Sequence, residues 1–137
     1  MQLKQATDYA FRVVLYLAGL PAGMVVSGVN IAERQKIPSR FLQKIMRMLV
    51  AASLVKSYRG VVGGFSLVKP AEEITLYDVI VAMEGPLNIH RCLSDLQACN
   101  RGFGQECSVH QAMTAIQERL AADLSTVSFA ALAARTK

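Results

Sequence analysis

The stretch P-S-R-F-L-Q-K-I-M-R-M-L-V-A-A, Pro38 to Ala52, separates into two faces when wound at helical spacing. Phe41, Leu42, Ile45, Met48, Leu49 and Ala52 recur at the three-and-four interval of a stripe that seeks a core. Ser39, Arg40, Gln43, Lys44 and Arg47 form the opposite stripe, which carries no acid. Pro38 suits the opening of such a helix, because its missing N–H would be unpaired there anyway. Arg and Lys can reach guanine edges or phosphates and Gln suits adenine, so the polar face has the composition of a base-reading surface. An ordinary surface helix shows the same face to water, and only the flanking chain separates the two readings.

Upstream, Val29 to Gln35 reads as a short helix and Lys36-Ile37 as a tight turn, which makes Pro38–Ala52 the second member of a helix-turn-helix. Before it, residues 6–19 repeat Ala10, Val13, Val14 and Leu17 at helical spacing. Thr7 is the expected N-cap there, Asp8 lies in the first turn, and Gly19 with Pro21 ends the helix. Downstream, L-V-K-S-Y-R-G-V-V-G-G-F-S-L-V-K-P reads as strand, glycine turn and strand, with Gly60, Gly63 and Gly64 in the turn. A basic hairpin directly after a helix-turn-helix is the wing of a winged helix. Arg59 stands at its shoulder, where a guanidinium could enter a minor groove or grip a phosphate, or else remain a solvated charge.

Charge supports the first choice. Residues 1–70 hold ten Lys and Arg against two acids, a net of +8, whereas residues 71–137 hold five against eight, a net of −3. Such asymmetry is the footprint of a polyanion partner on one side of the molecule. With 53% apolar and 18% charged residues the chain has ample material for one compact domain. No apolar run reaches the roughly 18 residues of a membrane span, the longest being broken by Arg12, Gly19 and Pro21. The start lacks the pattern of a signal peptide, so a cytoplasmic location is expected, with thiols reduced. There are no paired carboxylates, Ser-His-Asp set or nucleotide loop to suggest an enzyme; G-V-V-G-G lacks the Lys-Ser/Thr of a phosphate-binding loop.

Residues 75–84 form a fourth helix, with Thr75 and Asp78 as its capping box and Gly85-Pro86 at its end. Ser108 and Gln111 predict a second capping box, opening a helix to about Leu124 whose stripe of Val109, Ala112, Met113, Ile116, Leu120 and Leu124 fits a partner helix in a homodimer. A short last helix near Val127 to Ala134 is expected to fold over that seam. Between them, C-L-S-D-L-Q-A-C-N-R-G-F-G-Q-E-C, Cys92 to Cys107, holds every cysteine of the chain. Three reduced cysteines in a polar loop with Gly102 and Gly104 can converge on zinc or on an iron–sulfur cluster. The other reading, cysteines as small buried hydrophobes, fits poorly among Ser94, Asp95, Asn100, Arg101 and Gln105. Cys107 precedes a helix N-terminus, which favours its thiolate, and His110 lies one turn on; His90 is expected to be a loop residue.

The opening T-D-Y-A-F-R-V-V-L-Y-L-A, the stretch I-P-S-R-F-L-Q-K-I, the wing and T-L-Y-D-V-I-V-A-M-E-G together resemble the Rrf-type winged-helix repressors, the family of IscR, NsrR and RirA. The likeness runs in register over nearly the whole chain. It implies a homodimeric transcription regulator with an iron–sulfur cluster, of two-iron or four-iron type, that senses nitric oxide, iron supply or redox state. By the same resemblance Cys92, Cys99 and Cys107 match the cluster ligands, Arg59 the arginine of the wing, and Ser39 to Lys44 the recognition helix. The cysteine spacings are longer than the family's usual ones. The fourth ligand stays open: His110 stands where IscR-like members place a histidine, Asp8 where NsrR-like members place a carboxylate.

The expectation is therefore a mainly α winged helix-turn-helix with a small β-hairpin wing and a long C-terminal dimerisation helix, binding a double-stranded DNA operator and no membrane. Residues 1–84 form the DNA-binding domain, 85–107 the cluster loop, and 108–137 the dimerisation and C-terminal helices. Two rivals remain: a cluster-free regulator of the same fold sensing through thiols or a partner protein, and a zinc-stabilised scaffold whose basic face binds an acidic protein.

Overall fold

The computed structural model describes residues 2–98 and 100–136. Helix α1 spans Gln5–Ala18, and Lys4, not Thr7, occupies its N-cap position. Thr7 is fully buried and donates its hydroxyl to Glu84 Oε2 at 2.7 Å, while the Lys4 N–H reaches the same oxygen at 2.8 Å. The cap reading of Thr7 fails because its partner lies far along the chain. The Thr7 hydroxyl, followed by the backbone N–H and charge of Lys4, outweighs desolvation and holds the Glu84 carboxyl below its ordinary range.

Helix α2 (Gly28–Gln35) is capped by Ser27, whose hydroxyl accepts the Asn30 N–H at 3.1 Å. Lys36 then takes a left-handed conformation, φ 55°, and reverses the chain into α3 (Ser39–Ala51). The buried face of α3 is Leu42, Ile45, Met46 and Leu49. It is narrower than the sequence pattern suggests and shifted, with Met46 inside, Met48 half-buried and Ala52 exposed. Phe41 is 46% exposed because it lies at the rim, where its ring meets Tyr9 at 6.4 Å and the Arg40 guanidinium sits 5.7 Å above it.

Strands β1 (Val55–Tyr58) and β2 (Gly64–Leu67) pair antiparallel with Val55 opposite Leu67 and Tyr58 opposite Gly64. The hairpin is fastened to the helices by an isolated bridge between Val26 and Phe65, with reciprocal N–H···O bonds of 2.9 and 2.8 Å. Helix α4 (Leu76–Glu84) opens with the expected Thr75–Asp78 capping box and stops at Gly85, φ 81°. A four-residue helix α5 (Arg91–Ser94) and two 3-10 turns precede the long α6 (Ser108–Ser125).

The second capping box does not form. Cys107 takes the N-cap position of α6, and the Gln111 amide donates instead to the Gln105 carbonyl at 3.0 Å. No residue of α6 is buried; Val109 and Ile116 are 55% and 44% exposed. Helix α7 (Phe129–Arg135) returns to the helical body rather than lying over α6. Its Phe129 is buried beside Phe11, ring centroids 6.3 Å apart. The backbone there pairs Leu76 N–H with Val127 O and Phe129 N–H with Ile74 O. Ala10, Val13, Val14, Ile31, Ile45, Leu49, Val79 and Phe129 thus bury one apolar cluster drawn from α1, α2, α3, α4 and α7. Among the described residues no helix is long and apolar enough to cross a membrane.

Candidate functional site

Two surfaces gather the chemistry-bearing residues. On the first, Ser39, Arg40, Gln43, Lys44 and Arg47 are all exposed along α3. Helix α3 presents them because Leu42, Ile45, Met46 and Leu49 anchor its other side. Gln43 and Arg47 border a shallow groove of about 420 Å³ floored by Met46, Val50 and Phe65, where α3 meets the hairpin. Arg59 is exposed at the far end of β1. Lys56, three residues earlier on β1, lies with its ammonium 5.3 Å from the Tyr58 ring. Among the described residues the only close ion pair is Asp8 with Arg12, 3.0 Å, on α1, so the basic groups of α3 and the wing have no acid within salt-bridge distance. Free cations on an exposed helix and hairpin can meet a phosphate backbone without breaking a bond of their own.

The second surface is a cavity of about 410 Å³ whose walls include Cys92, Cys107 and His110. Cys92 enters on α5, and Cys107 and His110 on the first turn of α6. His110 Nδ1 lies 3.2 Å from Cys92 Sγ, across eighteen positions of sequence. Cys107 sits at the open N-terminus of α6, where the backbone N–H of His110, then that of Val109, lowers its thiol from the ordinary value; Arg101 adds a smaller push in the same direction. Both thiols are free.

Two sulfurs and an imidazole nitrogen around one hollow are soft and borderline donors, a chemistry that suits zinc or an iron–sulfur cluster. Cys99, the third cysteine expected as a ligand, lies outside the described residues. Among the described residues no three His, Cys, Asp or Glu side chains already stand at metal-binding distance. Asp8 does not line the cavity; its carboxylate faces Arg12 on α1. His90, expected as a plain loop residue, lines the cavity with Arg91 and Arg101. His90 and Arg91 arrive with Cys92 at the entry to α5.

A family model described as Rrf2, iron-dependent transcriptional regulator, matches residues 3–135. The HTH-type transcriptional regulator YffB of Lactococcus lactis is 34% identical over 140 residues, which cover all of this chain and 90% of that protein. Among solved structures, CymR, the global cysteine regulator of B. subtilis, superposes with a TM-score of 0.77 at 24% identity over 100% of this chain and 99% of its own. IscR of T. potens gives 0.73 at 22% identity over 100% and 89%. At those identities the two structures show a shared fold.

Proposed function

The chain belongs to the Rrf2 family of DNA-binding transcriptional regulators, which are not enzymes, and from that premise we propose that it is a homodimeric, operator-binding repressor with an iron–sulfur cluster as its sensor. The observation that carries the sensor is the meeting of Cys92 Sγ and His110 Nδ1 at 3.2 Å on a cavity that Cys107 also lines. Cys92, Cys99 and Cys107 would hold the cluster, with His110 or Asp8 as the fourth ligand. When bound, such a cluster supplies a centre that oxidants, nitric oxide or iron scarcity alter.

The chain's own residues then transmit the state of the loop. Residues 86–107 join the end of α4 to the start of α6. The Ile89 N–H donates to Gln117 Oε1 at 2.8 Å, and α4 packs against α6. Fixing Cys92 and Cys107 to one point fixes α5 and the first turn of α6, and so the angle between α6 and the DNA-binding body. The exposed face of α6, Val109 and Ile116 among it, is where a second copy would pair. The angle of α6 then sets the separation of the two α3 helices on DNA.

One feature favours a second reading. The lowered thiol of Cys107 suits a regulator that senses through bare cysteines. Iron and acid-labile sulfide measured on anaerobically purified protein separate the two. Wild type is expected to be brown and to hold both elements, and Cys107→Ala to lose them. Loss of iron in His110→Ala names the imidazole as fourth ligand, whereas retention there with loss in Asp8→Ala names the carboxylate. Colourless wild type without iron would leave the thiol reading.

A further inference from the structure

The tip of the wing is built against turn propensity. Gly63 N–H donates to Gly60 O at 3.0 Å, which makes Val61 and Val62 the two central residues of the turn. Such positions favour Gly, Pro, Asn, Asp and Ser, whereas branched apolar side chains prefer strands. Both valines are bare, at 107% and 92% exposure; the next most exposed large hydrophobic among the described residues, Val29, is at 68%. Among the described residues nothing covers these two side chains. A local rule broken without local gain is the mark of a functional position.

The turn holds the valines outward by construction. At Gly63 an added Cβ would stand 2.6 Å from the Tyr58 carbonyl oxygen, so the hairpin closes tightly beneath the tip. Arg59 stands exposed next to the turn, at the end of β1, and no acid pairs with it. A cationic shoulder beside a blunt apolar point matches a minor groove, whose rims are phosphates and whose walls are deoxyribose carbons. A protein partner would more often meet an aromatic or arginine anchor than a bare aliphatic turn.

We propose that Val61 and Val62 form an apolar wedge that enters the minor groove beside the half-site read by α3, and that they select A·T pairs there. Selection follows from shape: the exocyclic amine of guanine projects into the minor groove and blocks a branched side chain, whereas A·T pairs leave it open. This rests on the operator-binding reading above and adds a base preference at positions that no polar side chain of the wing tip can read.

The test uses the full-length dimer and a duplex that wild-type protein selects from a random pool. Three versions of the wing-facing minor-groove step are compared: A·T, G·C and inosine·C, the last carrying a G·C-like major groove without the amine. Wild type is expected to bind the A·T and inosine·C duplexes alike and the G·C duplex about tenfold more weakly. V61S/V62S, a substitution that suits the turn, is expected to lose about tenfold on the A·T duplex, and its preference against G·C with it. Its slope of log Kd against log salt stays that of wild type, because no charge is removed, whereas R59A lowers that slope by about one. Indifference of wild type to the guanine amine, or an unchanged preference in V61S/V62S, would overturn the wedge while leaving DNA binding intact. If wild type selects no duplex, the operator-binding reading itself falls, and the wedge with it.

Discussion

Gly64→Ala is expected to destabilise the folded chain by about 3 kcal/mol, a loss carried by backbone collision rather than by any missing side chain. At Gly64, φ 156°, a built Cβ would overlap the Val26 carbonyl and crowd the Ser27 nitrogen. Those atoms cannot swing aside, because Val26 exchanges both its backbone hydrogen bonds with Phe65 and Ser27 caps α2. An alanine would push the wing off the helical body and pull on the cap of the helix-turn-helix together. For a chain of this length the melting temperature should fall by about 10 °C, read by thermal unfolding in circular dichroism. Gly60→Ala is the control. Its φ of 102° disfavours alanine, but an added Cβ meets nothing within 4 Å, so a cost of about 1 kcal/mol is expected. Equal melting of the Gly64 variant and wild type would show that β2 does not lie against Val26.

The double variant Arg40→Ala/Lys44→Ala is expected to weaken operator binding about 100-fold and to lower the salt slope by about two. Both side chains are exposed on the first turns of α3, so removing them leaves the core untouched. Arg40 carries an extra element, since its guanidinium stacks 5.7 Å over Phe41 and is held at the helix N-terminus before DNA arrives. A held arginine has less entropy to lose on binding, and that bias should make it the more costly of the two single substitutions. Electrophoretic mobility shifts at several salt concentrations measure both quantities. An affinity loss with an unchanged salt slope would mean that neither cation meets a phosphate.

The winged-helix reading was legible because its signals are local. The alternation of Leu42, Ile45 and Leu49 with Arg40, Gln43 and Arg47 needs no tertiary information, and Gly60, Gly63 and Gly64 mark the turn by what they lack. Local reasoning misplaced residues whose partners are distant. Thr7 has the composition of a cap, yet Glu84 accepts its hydroxyl from the end of α4. Phe41 has the spacing of a core residue, yet Tyr9 and Arg40 hold it at the rim. Ser108 outranks cysteine as a cap by propensity, yet the chain enters α6 at Cys107. In the cavity, Cys107 beside a helix N-terminus and His110 one turn on were visible in sequence. The approach of Cys92 to His110, and the places of His90 and Arg101 on the same cavity, are tertiary placements that sequence spacing does not carry. The docking of α7 through Phe129 is likewise set by partners on α1 and at Ile74.

Operator affinity measured on one anaerobic preparation, before and after iron and sulfide are stripped by chelation, reaches the coupling between loop and DNA most directly. A change of about tenfold or more between the two states is predicted, abolished in Cys107→Ala. Equal affinity with and without the bound iron and sulfide would contradict it: the cysteine loop would then not report to the helices that read DNA.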